Sequence, residues 1–332
     1  MDEPMWTPSE DRMAATHMRA FMRLAATRSG EKLEHYSSLH AWSVAEPEAF
    51  WTAAWDYAGV VAETRGDTVI VDKDQIPGAR FFPDARLNYA ENLLRQTGGA
   101  AALIFRREDG KASTWSWDEL RGFTGKIAHA LDQHHIGEGD RVAAYLPNMP
   151  EAVGAMLGAA AGGRVWSSCS PDFGVQGVLD RFGQIEPKIL FTVDGYVYGG
   201  KRIDIRPKVA EVAKALDSCD WVVVMPFLEE EPDLSGIPRA ISLKDFLAWG
   251  DPTQLAFKQL PFDHPLYILF SSGTTGAPKC IVHRAGGVLL KHYTEHMLHT
   301  DLHVGDRLFY FTTLGWMMWN WLVGGLASGA TL

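Results

Sequence analysis

The run Tyr267-Ile268-Leu269-Phe270-Ser271-Ser272-Gly273-Thr274-Thr275-Gly276-Ala277-Pro278-Lys279 has the make-up of a phosphate-binding loop at the end of a buried strand. Gly273 and Gly276 let the backbone turn sharply and approach an anion, so that N–H groups can point at its oxygens. Ser271, Ser272, Thr274 and Thr275 add hydroxyl donors. Pro278 sets the chain direction, and Lys279 supplies a compact positive charge. This is not the G-x-x-x-x-G-K-[ST] loop, because the lysine stands three residues beyond Gly276 and Cys280 replaces the magnesium-binding hydroxyl. A surface turn would account for a glycine or a threonine singly, but not for this density of donors behind an apolar strand.

Three other clusters could carry chemistry. Tyr198-Gly199-Gly200-Lys201-Arg202 puts two cations on a turn, as an anion clamp or as a solvated basic turn. Thr312-Thr313-Leu314-Gly315-Trp316-Met317-Met318-Trp319-Asn320-Trp321 is dense in Trp and Met, suited to an apolar pocket and equally to plain core. His292-Tyr293-Thr294-Glu295-His296 matches the H-x-x-E-H pattern of inverted zinc peptidases. It lacks an evident third ligand, and packing or solvation accounts for His283, His292, His296, His299 and His303, so no metal ligand is assigned.

These clusters need a scaffold, and the composition describes one. The chain has 332 residues, a formal charge of −10 and 46% hydrophobic content, which fits a soluble globular protein and excludes a general basic field for nucleic acid or anionic membrane. An anionic ligand must meet local positive groups. Cys169, Cys219 and Cys280 are too scattered for a disulfide framework or a zinc knuckle, and the acidic start Met1-Asp2-Glu3-Pro4 does not resemble a secretory signal; a cytoplasmic setting is expected. Leu308 to Leu332 carries no charge, but its Gly, Thr and Asn residues argue against a membrane span, and Leu308–Thr313 reads as a buried strand before a turn at Gly315.

Elements alternate after residue 100. Ser116-Trp117-Asp118-Glu119 is a capping box, followed at helical spacing by Leu120, Phe123, Ile127 and Leu131, with an end near Gly137. Strands are expected at 141–146, 164–168, 188–193, 221–225, 266–270 and 280–283, and a small-residue helix at 151–161. Such alternation predicts an α/β fold with a parallel, helix-covered sheet. The Glu- and Pro-rich stretch 226–238 reads as an exposed excursion. Before residue 100, Trp6, Phe21, Trp42, Phe50, Trp51, Trp55 and Tyr57 suggest an irregular segment wrapped over the body and anchored by its aromatics. A short helix at 88–95 leads into the body.

Ser271 to Lys279 fits the loop [ST]-[SG]-G-[ST]-[TS]-G-x-P-K at every fixed place, and so resembles the adenylate-forming superfamily of acyl-CoA synthetases, adenylation domains and luciferases. Trp115–Leu120, Gly139–Val142, Pro147–Ala152 and Tyr89–Leu94 look like segments of its acetyl-CoA synthetase branch. Trp166–Gly174 and Thr312–Trp321 look like the acetoacetyl-CoA synthetase family in particular. The resemblance implies the large domain of such enzymes, incomplete, with an amino-terminal segment at 1–99 and the first part of the adenylation domain at 100–332; the ribose-binding and carboxyl-terminal catalytic regions would lie beyond Leu332. It implies ATP with Mg²⁺, coenzyme A and a small keto acid as substrates, and an acyl-adenylate intermediate, which the chain alone is not expected to form; the alternatives are another short-chain acid such as acetate or butyrate, or a non-catalytic nucleotide-binding module. Ser271, Ser272, Gly273, Thr274, Thr275, Gly276 and Lys279 would hold the ATP phosphates, with Lys279, Thr274 and Thr275 acting in catalysis. Trp316, Met317, Met318, Trp319 and Asn320 would shape the acyl pocket, and Gly199, Gly200, Lys201 and Arg202 would meet coenzyme A. Tyr198 departs from the branch, which often has arginine there.

Overall fold

The computed structural model describes residues 5–250, 255–271 and 276–332. Four helices come first: α1 (Glu10–Ala15), α2 (His17–Ser29), α3 (Tyr36–Ala45) and α4 (Pro47–Ala58). Local chemistry sets their ends. The hydroxyls of Ser9 and Thr16 accept from the amides of Arg12 and Arg19, both at 3.2 Å, while Gly30 and Gly59 close α2 and α4 with φ of 72° and 61°. Phe21, Met22, Leu39 and Trp42 pack with Ala53, Ala54 and Leu298 into a small core. Trp55, on another side of α4, enters the main core against Phe82, with ring centroids 4.8 Å apart. The expected irregular wrap is thus helical. Its period was masked because α4 is buried on more than one side, which erases the polar face that usually betrays a helix.

Strands β1 (Ile70–Val71) and β2 (Arg80–Phe81) pair with each other, and β3 (Arg86–Leu87) pairs with β13 (Leu260–Pro261). Helix α5 (Tyr89–Leu93) is capped by Asn88, whose Oδ1 accepts from Glu91 N at 3.2 Å. The Asn88 amide nitrogen also faces the carbonyls of Ala160, Ala161 and Lys258 at 3.2, 3.0 and 2.9 Å. Asn92 exchanges two 2.8 Å bonds with the Val61 backbone. A buried amide left without partners costs about 1–3 kcal/mol. These two asparagines therefore fix the amino-terminal region firmly to the body.

After the hairpin β4 (Ala101–Arg106) and β5 (Ala112–Ser116), the capping box opens α6 (Trp117–Gln133): Ser116 Oγ accepts from Glu119 N at 3.2 Å, and Ser116 N donates to Glu119 Oε2 at 2.7 Å. The order then runs β6 (Arg141–Tyr145), α7 (Pro150–Ala161), β7 (Val165–Cys169), α8 (Val175–Ile185), β8 (Ile189–Val193), a hairpin β9 (Gly195–Tyr198) and β10 (Lys201–Asp204), α9 (Arg206–Ala215), β11 (Trp221–Met225), β12 (Ala240–Ser242) and α10 (Leu243–Leu247). It closes with β14 (Pro265–Phe270), β15 (Cys280–Arg284), α11 (Ala285–Tyr293), a π-helical turn at Thr294–His299 and α12 (Met317–Gly324).

Seven strands form the main sheet in the order β12-β11-β8-β6-β7-β14-β15, parallel except for β15, which returns antiparallel to β14. The expected α/β fold with a helix-covered parallel sheet is the one observed. Strand β6 lies between β7 and β8, so the chain reverses its direction of travel there, and the carboxyl ends of such strands open a crevice for ligands. At that edge stand the residues after Tyr145, Cys169, Val193 and Phe270.

Residues 308–313 depart from expectation. They form no strand among the described residues; Leu308 N donates to Thr331 O at 2.9 Å, after which the chain leaves, with Phe309 82% and Phe311 89% exposed. β-branched and aromatic residues supply an extended shape, but a strand needs a neighbour, which local sequence does not reveal. Stretch 226–238 is largely exposed, as expected. Its start is anchored by the buried Asp194 carboxylate, which accepts from the amides of Phe227, Leu228 and Glu229 at 2.9, 3.0 and 2.8 Å.

Candidate functional site

Strand β14 is mostly buried and empties at Ser271. There the loop is clasped at its base: Ser271 N donates to Lys279 O at 3.0 Å, and Ser271 Oγ accepts from Lys279 N at 3.1 Å. Gly276 has φ of 153°, which suits glycine alone, and Lys279 is exposed. Ser272, Gly273, Thr274 and Thr275, four of the sequence-derived phosphate contacts, lie outside the described residues.

Helix α8 supports this loop in a way the sequence reading missed. Gln184 Nε2 donates to Pro278 O at 2.8 Å. The Arg181 guanidinium sits over Phe173 at 4.8 Å and Phe270 at 5.8 Å from the ring centroids, so a permanent cation bridges the root of the loop and the turn after β7. The available signal was Arg181 and Gln184 lying on one helix after the Ser170–Gly174 segment, but only the sheet order brings that helix beside β14.

The two segments Trp166–Gly174 and Thr312–Trp321 meet. Ser168 Oγ donates to Leu314 O at 2.7 Å, and a Cβ placed on Gly315 would stand 3.4 Å from Phe173 Cζ. Tyr145 OH donates to Phe173 O at 2.6 Å, which ties the ends of β6 and β7 together. On α12 the candidates divide. Trp319 and Asn320 are fully buried, whereas Trp316 and Met317 are exposed and Met318 is intermediate. Trp319 stacks on Trp166 at 6.4 Å, and its Nε1 donates to Asn148 Oδ1 at 3.0 Å. A cavity of about 510 Å³ is lined by Asn148, Met149, Tyr196, Phe227, Tyr310 and Trp319 among others, so it joins α12 to the root of the β9–β10 hairpin.

That hairpin presents Gly199 and Gly200 at its tip, with φ of 58° and 73°. Lys201 is exposed. Arg202 is paired with the Glu229 carboxylate and also reaches Leu228 O at 3.2 Å, so an anion would have to draw it from an exposed partner. Such exposed pairs contribute only about 0–1 kcal/mol, which makes the exchange easy.

The histidine pair has a different environment from the one its spacing suggests. The rings of His292 and His296 are 5.8 Å apart, but Glu295 turns to Lys291, and His296 Nε2 bonds to Trp321 O at 2.9 Å. Burial pushes His292 down to about 3, helped by His296 and the Lys291 ammonium. Burial likewise lowers His296 to about 4 against the opposing pull of the Trp321 carbonyl and Glu295. Both are neutral near pH 7. Among the described residues, no group of three or more His, Cys, Asp or Glu is arranged to hold a metal, and no helix is long and apolar enough to cross a membrane.

With this geometry in place, comparison with known proteins gives a consistent result. Residues 90–332 match the AMP-binding enzyme family, and residues 36–93 match the acetyl-coenzyme A synthetase N-terminus. The chain is 52% identical over 332 residues to an acetoacetyl-coenzyme A synthetase of Rhizobium meliloti (strain 1021), covering 100% of this chain and 51% of the relative. It is 44% identical over 336 residues to an acetoacetyl-CoA synthetase of Gallus gallus, covering 99% and 50%. The solved acetoacetyl-CoA synthetase from Streptomyces lividans superposes with a TM-score of 0.93 at 43% identity, over 99% of this chain and 51% of that one. The chain thus spans about half the length of the curated relatives it matches. A loop clasped at the end of a parallel sheet, and a match that runs along the whole chain, place it in the AMP-binding enzyme family, as a homologue of the acetoacetyl-CoA synthetases.

Proposed function

We propose that these residues form the amino-terminal part of an acetoacetate–CoA ligase, residues 1–99 being its amino-terminal segment and 100–332 the first part of its adenylation domain. In this reading an acetoacetate carboxylate oxygen attacks the α-phosphorus of ATP and pyrophosphate leaves. The coenzyme A thiolate then attacks the acyl carbonyl and AMP leaves. Chemistry of this kind is mostly positioning and charge neutralisation, so no covalent nucleophile is required of the protein. Mg²⁺ enters as the counter-ion of the ATP phosphates, as part of the substrate.

Each cluster takes one role. Ser271 to Gly276 hold the triphosphate with N–H and hydroxyl donors while Lys279 neutralises it, and Thr274 and Thr275 act with Lys279 in catalysis. Trp316, Met317, Met318, Trp319 and Asn320 shape the acyl pocket. Gly199, Gly200, Lys201 and Arg202 receive coenzyme A. The clasp between Ser271 and Lys279, which holds the loop's two arms together, supports the first role. A cytoplasmic setting goes with such substrates.

The single observation that carries the reading is 52% identity sustained over all 332 residues to an acetoacetyl-coenzyme A synthetase. The test is ATP–pyrophosphate exchange by the full-length protein with acetoacetate, acetate or butyrate as the acid. Acetoacetate should give the highest kcat/KM. Equal or better exchange with acetate or butyrate would replace the substrate, and no exchange with any of them would remove the ligase reading.

A further inference from the structure

Helix α12 carries Met317 to Asn320, with Trp316 at its N-cap, so its rotation and height decide what those side chains present to a ligand. Two contacts hold it from one side. His296, in the π-helical turn that continues α11, donates its Nε2 proton to the Trp321 carbonyl at 2.9 Å. His292, one turn earlier, lies against Gly324: a Cβ built there would stand 2.2 Å from His292 Nδ1. The glycine is therefore the seat of an imidazole. Asn320 lies one helical turn before Gly324 and so on the same face of α12. It is fully buried, and neither its Oδ1 nor its Nδ2 has a hydrogen-bond partner. The Nδ1 atoms of His292 and His296 are likewise buried without partners.

A purely structural contact between two helices does not ordinarily leave this many buried polar atoms unsatisfied, since each gives up its hydrogen bonds to water without replacing them. A π turn is itself a rare interruption that concentrates at functional sites. Trp319 projects from another face of α12, into the contact with Asn148 and Trp166 and onto the cavity wall. A small rotation of the helix about the histidine contacts would swing Trp319 off Asn148 and re-aim Trp316 and Met317 together.

We infer that His292 and His296, seated on Gly324 and the Trp321 carbonyl, are positioning residues that set the aim of α12 and thereby determine which short acid the site accepts. They act through the helix and touch no reacting atom. This inference rests on the ligase reading above and deepens it.

The experiment uses the full-length protein and reads the ratio of kcat/KM for acetoacetate to that for butyrate, beside the KM for ATP. Gly324→Ala should lower the ratio about tenfold, the scale of one apolar contact, while the KM for ATP moves less than about twofold. His292→Ala alone empties the seat and should lower the ratio as well, whereas His292→Ala with Gly324→Ala, in which the added methyl refills that space, should recover most of it. His296→Gln keeps a donor for Trp321 O and should keep the ratio, whereas His296→Leu should lose it. A proportional loss for both acids, or a double variant no better than Gly324→Ala, overturns the inference. Fluorotryptophan NMR of the same proteins separates this from the ligase reading. The Trp319 and Trp321 resonances should shift in Gly324→Ala and return in the double variant, whatever acid is turned over. If they do not move, positioning is refuted even in an active enzyme; if no acid is activated, the ligase reading fails and the resonances alone decide the inference.

Discussion

Two pairs of helices in this protein approach closely through glycine, and they do so with opposite chemistry. Between α6 and α7 the knobs are hydrocarbon: a Cβ on Gly154 would meet Phe123 Cδ1 at 2.4 Å, and one on Gly158 would meet Ile127 Cγ2 at 2.5 Å. Between α11 and α12 the knob is the His292 imidazole in the Gly324 seat, with His296 bonded to Trp321 O beside it. The apolar contact stabilises by burial and tolerates small rotations. The polar contact has one satisfying geometry, so it specifies a helix orientation at some expense in stability. The first sits under the main core. The second sits behind the segment proposed to shape the acyl pocket.

Acidification should break this comparison most strongly. His292 and His296 are both held below the ordinary imidazole value of 6.5, mainly by burial, so the unfolded chain takes up protons before the folded one as pH falls. Their neutral contact is fully stabilising above about pH 6.5 and is lost as pH drops from there towards about 4 for His296 and about 3 for His292, at up to about 1.4 kcal/mol per pH unit for each imidazole. Urea unfolding should therefore weaken between pH 7 and pH 5, and His296→Gln should weaken less. An equal loss in both proteins would place the acid sensitivity elsewhere.

Overpacking the apolar pair gives the next largest effect. Gly158→Val drives a branched side chain into Ile127 and the Thr124 carbonyl and should cost about 1–3 kcal/mol in unfolding free energy. It should leave the acetoacetate to butyrate ratio of the folded full-length protein unchanged. A shifted ratio would mean that the two helix pairs are mechanically linked. Smaller still, Trp319→Phe removes the donor to Asn148 while keeping most of the ring, for a loss of about 1 kcal/mol in the same urea assay. No loss would show that this bond is offset by solvation of Asn148.

The sequence was a good guide wherever local rules decide conformation. Ser116 and Glu119 specify a helix start through two mutual bonds that involve only their own neighbourhood, and the β-branched run Trp221–Met225 reads as the strand it becomes. It misled at residues 308–313, where extended propensity found no strand partner, and before residue 60, where aromatics on several sides of α4 obscured the helical period. Within the candidate site, the turn from Ser271 to Lys279 was legible because apolar strand runs flank a Gly- and Pro-rich stretch. Arg181 and Gln184 were not, since α8 is far from that loop in sequence and only the sheet order puts it alongside.

By itself, then, the amino-acid order determined the alternation of strands and helices, the loop after β14 and the resemblance to an adenylate-forming family, because turns, caps and glycine torsions are settled within a few residues. Tertiary structure alone decided that His292 and His296 are buried against Gly324 and the Trp321 carbonyl and held neutral there. It also decided that Trp319 bonds Asn148 while Trp316 faces solvent, and that Arg202 lies beside Glu229. The reason is that burial and partner choice depend on which distant segments arrive at the same place, and desolvation, which pushes both imidazoles to their neutral form, exists only once the surrounding helices have closed.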